Sequence, residues 1–199
     1  MRTLAIGDIH GCSKALDALL RVVAPAADDL LVALGDYINR GPDSSGVLNR
    51  LIELHATGRL IALCGNHEQM LIDGSEPNAL RLTPTQKQFV FECLVDWHEI
   101  DTHFFVHANA YPDIPLDEQP TFMLRWEHLV DSAPHESGKI MVCGHMPQKN
   151  GVPLNLGHAI CIDTHAWGGA WLTGLDVKSG RYWQANERGE TRTRWIDEV

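Results

Sequence analysis

Three short stretches of this chain carry side chains that could do chemistry together. They are Gly7-Asp8-Ile9-His10-Gly11, Gly35-Asp36-Tyr37-Ile38-Asn39-Arg40-Gly41 and Gly65-Asn66-His67-Glu68. Each follows an aliphatic run: Thr3 to Ile6, Leu31 to Leu34 and Leu60 to Cys64. Three later apolar runs end the same way, Phe104 to Val106 in His107, Ile140 to Cys143 in Gly144-His145, and Ala159 to Ile162 in Asp163-Thr164-His165. Read as strands, six apolar runs deliver Asp, Asn or His as they end. Ligand crevices of open α/β sheets lie outside the carboxyl ends of the strands, so these side chains converge. A lone Gly-Asp at a strand end is far more often a turn than a ligand; six in order reverse that reading. Converging Asp, Asn and His without a thiolate cluster make an oxygen- and nitrogen-rich site for hard or borderline divalent metals. Asp8 and His10 could bind one ion and Asn66, His107 and His145 a second, with Asp36 between them. Two ions about 3.5–4 Å apart clamp a phosphoryl group and activate water.

The elements that position these residues follow from periodicity. Leu16, Leu19, Leu20 and Val23 fall at helical spacing behind Ser13, which reads as the cap. A second helix reads from about Ser44 to Thr57, with Val47, Leu48, Leu51, Ile52 and His55 on one side and Gly58 as its stop. Strands alternating with helices over the first 65 residues imply a parallel α/β core. Residues 67 to 100 read as mainly helical, and Tyr111 to Pro120 as a loop. Strands at Ile140 to Cys143, Ala159 to Ile162 and Ala170 to Val177 follow, with a hairpin turn from Asp176 to Gly180 returning through Arg181 to Ala185. Two packed sheets with helices outside is the simplest architecture, in one domain spanning 1–199.

Composition bounds the function. The 199 residues are 44% hydrophobic and 21% charged, with 16 Lys and Arg against 26 Asp and Glu, a formal net charge of -10. So acidic a chain is not expected to bind nucleic acid or an anionic membrane. No apolar run approaches the about 20 residues of a spanning helix, and Arg2 leads straight into a strand, so neither a membrane segment nor a signal peptide is expected. Five scattered cysteines without a C-x-x-C pair fit free thiols in a reducing cytoplasm.

The motifs G-D-x-H-G, G-D-x-x-D-R-G and G-N-H-E, followed by single histidines at later strand ends, resemble those of the PPP-type metallophosphoesterases. That family includes the Ser/Thr protein phosphatases and the short bacteriophage-λ-like phosphatases, and Gly65-Asn-His-Glu-Gln-Met is similar to the phage and bacterial branch. The resemblance covers residues 4 to about 177. It implies a four-layer α/β/β/α sandwich of two mixed sheets, and a metal-dependent phosphomonoesterase with a metal-bridging hydroxide as nucleophile. Phosphoserine or phosphothreonine proteins, with dual specificity as a variant, are the leading substrates. The alternative is a hydrolase of small phosphoanhydrides or diesters such as diadenosine tetraphosphate, against which the short chain weighs a little. Two Mn²⁺ ions are the expected cofactors, with Fe, Zn, Ni or Co as alternatives.

Carried over residue by residue, Asp8 and His10 resemble ligands of the first metal, Asp36 the bridge, and Asn66, His107 and His145 ligands of the second. His67 resembles the general acid and Arg40 a phosphate-binding arginine, whose guanidinium can hold two phosphate oxygens. Arg125, in Leu124-Arg-Trp-Glu, resembles a second such arginine, though the family places it a residue or two later. His165 begins a loop that overhangs the site in the family, and Trp167 within it is the aromatic expected to touch substrate. Two positions depart from the family pattern. His165 stands where relatives have Gly after Asp-Thr, and Asn39 stands where the family has the Asp that pairs with the general-acid His. A neutral amide cannot stabilise imidazolium by charge, so the His67 pKa is expected to sit lower, favouring substrates with better leaving groups. Loss of that carboxylate also admits a disabled metal-binding or docking domain, against which the complete set of direct ligands weighs.

Overall fold

A computed structural model describes residues 1–75, 80–130 and 132–198. The chain begins β1 (Thr3–Ile6), α1 (Ser13–Val23), β2 (Leu30–Ala33), α2 (Ser44–Ala56), β3 (Leu60–Ala62) and α3 (Asn66–Ile72). After α4 (Pro84–Gln88), which runs on as a π-helical turn over Phe89–Cys93, come β4 (Trp97–Glu99), β5 (His103–Val106) and α5 (Thr121–Trp126). The remainder is β6 (Ile140–Cys143), β7 (Leu154–Asn155), β8 (Ala159–Cys161), β9 (Leu172–Asp176), β10 (Arg181–Ala185) and β11 (Thr191–Trp195). One sheet has the order β11-β10-β9-β1-β2-β3 and the other β4-β5-β6-β8-β7. Within each, the three central site-bearing strands are parallel: β1, β2 and β3, then β5, β6 and β8.

Period-two alternation sorts the strand residues into separate interfaces, which is what makes the fold four layers. Leu4, Ile6, Leu31, Ala33 and Leu60 face helices α1 and α2, meeting Leu16, Leu19, Leu20, Val47, Leu48 and Leu51. Their strand neighbours Ala5, Val32, Leu34 and Leu63 turn the other way and pack on Phe105, Val142 and Ile160 of the second sheet. Phe104, Val106, Met141, Cys143 and Cys161 then face outward under Leu116, Leu124 and Leu129. The α/β/β/α sandwich expected from the motifs is the observed fold.

Several local expectations are corrected. Cys12, not Ser13, occupies the N-cap of α1, without a side-chain cap bond. The second helix is capped by Asp43, whose carboxylate accepts from Gly46 N at 2.8 Å. The stretch 67–100, read as mainly helical, contains strand β4 and the short helices α3 and α4; its residues 76–79 lie outside the described residues. β4 is three residues long and only half-buried, too short to show an alternation. β11 reads Thr-Arg-Thr-Arg-Trp, with no buried face to announce it; its backbone pairing with β10 and its edge position account for it, and edge strands commonly carry charge. All five cysteines are free, as expected. Among the described residues no helix is long and apolar enough to cross a membrane.

Candidate active site

Both parallel trios of strands end on the same side of the sandwich, and there the motif residues meet. Gly144 shows why small residues precede the functional ones: a Cβ on it would run into the Asp8 carboxylate. Gly35 has φ +103°, and a Cβ there would stand 2.8 Å from His107 Nδ1. The turns also force the following residues into left-handed backbone. Of the seven non-glycine residues with positive φ among those described, six are His10, Asp36, Asn39, Arg40, His145 and His165. Each such residue costs of the order of 1 kcal/mol, less for Asn and Asp, and strain of this kind clusters at functional sites.

Asp36 is the hub. Its Oδ2 lies 3.3 Å from His10 Nε2 and 3.9 Å from His67 Nε2, while its Oδ1 lies 3.5 Å from His107 Nε2 and accepts the His67 N–H at 3.0 Å. Two tight groups of metal-competent atoms share this carboxylate, His10–Asp36–His67 and Asp36–His107–His145. Asn66 joins the second, its amide 3.1 Å from both His107 Nε2 and His145 Nδ1.

Main-chain carbonyls define which ring nitrogens carry protons. His10 Nδ1 donates to Ile38 O at 3.0 Å, His107 Nδ1 to Leu34 O at 2.8 Å, and His145 Nε2 to Trp126 O at 3.0 Å. The opposite nitrogen of each ring then turns a lone pair inward, the arrangement that orients metal-ligating histidines. Around Asn66 the result is a convergence of acceptors: His107 Nε2, His145 Nδ1 and both Asp36 oxygens lie within 3.1–3.3 Å of one amide atom. An amide NH₂ has only two hydrogens to offer four acceptors. With the amide oxygen turned inward instead, every one of these atoms offers a lone pair, and a divalent cation satisfies them together. The residues present therefore fit a metal pair.

The electrostatics agree. Burial raises the pKa values of Asp8, Asp36 and Asp163; the Asp163 charge adds to the rise in the other two, and the Asp36 charge to that of Asp8. Burial pushes His107 down to about 4 and His145 to about 3, and it lowers His10 strongly as well. Carboxylates crowd one another here while the imidazoles stay neutral, so the site's unbalanced charge is negative and calls for an external cation.

The expected site residues fall as follows. His10, Asp36, Asn66, His107 and His145 converge. Asp8 belongs to neither tight group but is buried beside them, its carboxylate accepting the His145 N–H at 3.1 and 3.2 Å. His67 has its Nδ1 3.0 Å from the Asn39 amide and accepts from Arg40 Nε at Nε2, 3.3 Å away. Arg40 is exposed, with its guanidinium 4.6 Å from the centre of the Trp167 ring. Trp167 also stands edge-on to His165 at 4.6 Å and to His10 at 6.2 Å, so the overhanging loop closes over the first group. Arg125 instead pairs with Asp96 through Nε and Nη2, and its charge acts on His107 from the side.

Two residues given no role by the sequence reading belong here. Glu68 is fully buried; its Oε2 accepts from Asp36 N at 2.8 Å and Gly65 N at 3.1 Å, its Oε1 from Tyr37 N at 2.8 Å and Ile38 N at 3.3 Å. It ties the second motif to the third. Asp163 is the third buried carboxylate, accepting from His165 N at 3.0 Å. Its position at the end of a strand parallel to those of His107 and His145 is the signal that could have found it.

Comparison with known proteins decides the family, since residues 1–177 match the calcineurin-like phosphoesterases. The chain belongs to that family. Within it, this calcineurin-like phosphoesterase is 28% identical over 160 residues to a symmetrical bis(5'-nucleosyl)-tetraphosphatase of Nitrosomonas europaea, covering 74% of this chain and 59% of that protein. It is 49% identical over 69 residues to serine/threonine-protein phosphatase 1 of Salmonella typhimurium, covering 34% of this chain and 30% of that one. The phosphoesterase thus spans well under two thirds of the curated relatives it matches. A crystal structure provisionally described as a diadenosine tetraphosphatase superposes with a TM-score of 0.73 at 24% identity, covering 98% of this chain and 93% of the other. At that identity the likeness is one of fold.

Proposed function

We propose that this phosphoesterase hydrolyses the phosphoanhydride chain of a bis(5'-nucleosyl) tetraphosphate, adding one water and releasing two nucleoside diphosphates. The observation that carries the reading is the neutral Asn39 amide at Nδ1 of His67. Without a carboxylate partner His67 is a sparingly protonated acid, and burial with the Arg40 charge lowers it to about 4. A departing phosphate oxygen needs far less protonation than a serine alkoxide, so anhydrides suit this site. The Nitrosomonas relative, which aligns over 74% of the chain, supports the same choice.

Asp8, His10 and Asp36 would hold one ion and Asp36, Asn66, His107 and His145 the other; the oxygen and nitrogen donor set favours Mn²⁺ among the candidates. When bound, such ions polarise the phosphoryl oxygens and make water a competent nucleophile at neutral pH. Arg40, exposed and held over Trp167, binds the phosphate oxygens bidentately. Moving its guanidinium onto phosphate frees His67 Nε2 and removes the charge that disfavours its protonation. The adjacent phosphate then favours the imidazolium, whose Nε2 proton passes to the leaving oxygen. Trp167 and His165 shield that transfer from solvent.

A second reading, a phosphoprotein phosphatase of the bacteriophage-λ-like branch, is favoured by the 49% identity to the Salmonella phosphatase over 69 residues. A metal-reconstituted panel of diadenosine tetraphosphate, p-nitrophenyl phosphate and phosphopeptides separates the two. The proposal expects the dinucleotide to give the highest kcat/KM, with ADP as the only nucleotide product. Faster turnover of phosphopeptides, or ATP plus AMP as products, would overturn it.

A further inference from the structure

Just beyond His107 and His145 lies a cavity of about 210 Å³ that none of the roles above uses. Its walls are the two segments that leave the candidate second metal position. One follows His107: Ala108 and Asn109 donate their N–H groups to Leu124 O at 2.8 Å and Met123 O at 3.2 Å, which seats this segment on α5. The other follows Trp126, whose carbonyl holds His145. Asn109 joins them, its Nδ2 donating to His128 O at 3.0 Å and its Oδ1 accepting from Ala110 N at 2.8 Å. That amide is spent on building the wall. The His128 ring stands 5.5 Å from the His145 ring, so the cavity opens directly off the site.

The lining chemistry is specific. Met123 is buried, while Tyr111 and Val130 are large apolar groups left 41% and 63% exposed. Glu127 is the one acidic group among the described lining residues, and none of them is Lys or Arg. A carboxylate without a basic neighbour repels phosphate but accepts from an amine. The volume is below the about 300–1,000 Å³ of ordinary small-molecule sites, enough for one planar ring system and not for a whole dinucleotide. We infer that this cavity seats one base of the substrate, a purine with an exocyclic amine, against Tyr111 and Val130 and within reach of Glu127. The phosphate chain then runs from that base back to Arg40 and the metal position. The inference rests on the dinucleotide reading and gives it a specificity site.

The test is steady-state kinetics of the metal-loaded full chain, wild type against Tyr111→Ala, Tyr111→Phe and Val130→Ser. The substrates are diadenosine tetraphosphate and inorganic tetraphosphate, which has the same anhydride chain without a base. Both positions are exposed, so folding should be retained. Losing a base contact of this kind should raise KM for the dinucleotide about tenfold with kcat little changed. Tyr111→Phe should restore it, and kcat/KM on inorganic tetraphosphate should stay within about twofold. Dinucleotide KM values unchanged in Tyr111→Ala and Val130→Ser overturn the cavity's assignment while leaving the dinucleotide reading intact. A wild-type enzyme that cleaves phosphopeptides but not the dinucleotide overturns both.

Discussion

The side-chain amide of Asn39 lies 3.0 Å from Nδ1 of His67, while Arg40 Nε faces Nε2 of the same ring at 3.3 Å. A guanidinium can only donate, so Nε2 accepts and the ring proton sits on Nδ1. The pairing that satisfies both contacts turns the Asn39 amide oxygen toward that proton; amide oxygen and nitrogen differ too little to be assigned except by such partners. Asn39 thus orients His67 without charging it.

Replacing Asn39 by Asp puts a carboxylate at that distance and should raise the His67 pKa by about 1–3 units from its lowered value. A raised imidazole stays protonated to higher pH. The basic limb of the kcat/KM profile should therefore move up, and substrates with poor leaving groups should gain most. The comparison is a pH–rate profile on diadenosine tetraphosphate and on a phosphoserine peptide. An unmoved basic limb would make Asn39 a spectator.

Glu68 holds the Asp36 turn through four main-chain N–H groups. Glu68→Gln presents an NH₂ to some of those donors, so at least one buried contact becomes donor against donor. The expected cost is roughly 1–3 kcal/mol of stability, with a loss of metal affinity because Asp36 is no longer held in its left-handed conformation. Thermal unfolding and metal titration read the two effects. A variant with unchanged Tm and unchanged metal binding would show that the four bonds do not position Asp36.

Away from the site, Asp29 accepts from Arg2 N at 2.7 Å, Arg2 Nε at 2.9 Å, Arg2 Nη2 at 2.6 Å and Ala26 N at 2.8 Å, tying the start of β1 to the start of β2. The hydrogen bonds from Arg2 hold its pKa down at about 2. A depressed carboxylate stabilises the fold above its unfolded value of about 3.9, and that contribution is lost as pH falls through the folded value. Asp29→Asn should cost about 1–3 kcal/mol at pH 7, shrinking toward nothing near pH 2. Urea unfolding of both proteins across that range checks it; a cost independent of pH would mean that charge is not what matters at this contact.

The sequence made the centre of the site readable because strand-end residues carry their own punctuation. Gly7-Asp8, Gly35-Asp36, Gly65-Asn66 and Gly144-His145 each pair an apolar run with a residue whose side chain has only the crevice to enter. The same logic made both parallel trios visible. It missed β4 and β11 because neither buries a face of its own length, so no alternation is written into them. Glu68 and Asp163 were quoted within motifs but given no task, since hydrogen bonds to main-chain N–H groups 30 residues away leave no trace in spacing. Arg125 reads as a phosphate ligand by its neighbours in sequence, yet Asp96, 29 residues away, takes its guanidinium. Long-range polar partners are what a single sequence conceals.

The central claim is that Asp36 joins two sets of lone pairs built to hold two divalent ions for phosphoester hydrolysis. It is tested most directly by metal content per chain, measured together with hydrolysis of diadenosine tetraphosphate before chelation, after exhaustive chelation and after metal is restored, in wild type and Asp36→Asn. Wild type should bind two equivalents, lose activity with the metal and regain it on restoration, whereas Asp36→Asn should bind less than two and stay inactive. Full hydrolysis by the chelated wild-type protein, or two equivalents retained by Asp36→Asn with unchanged activity, would contradict the account.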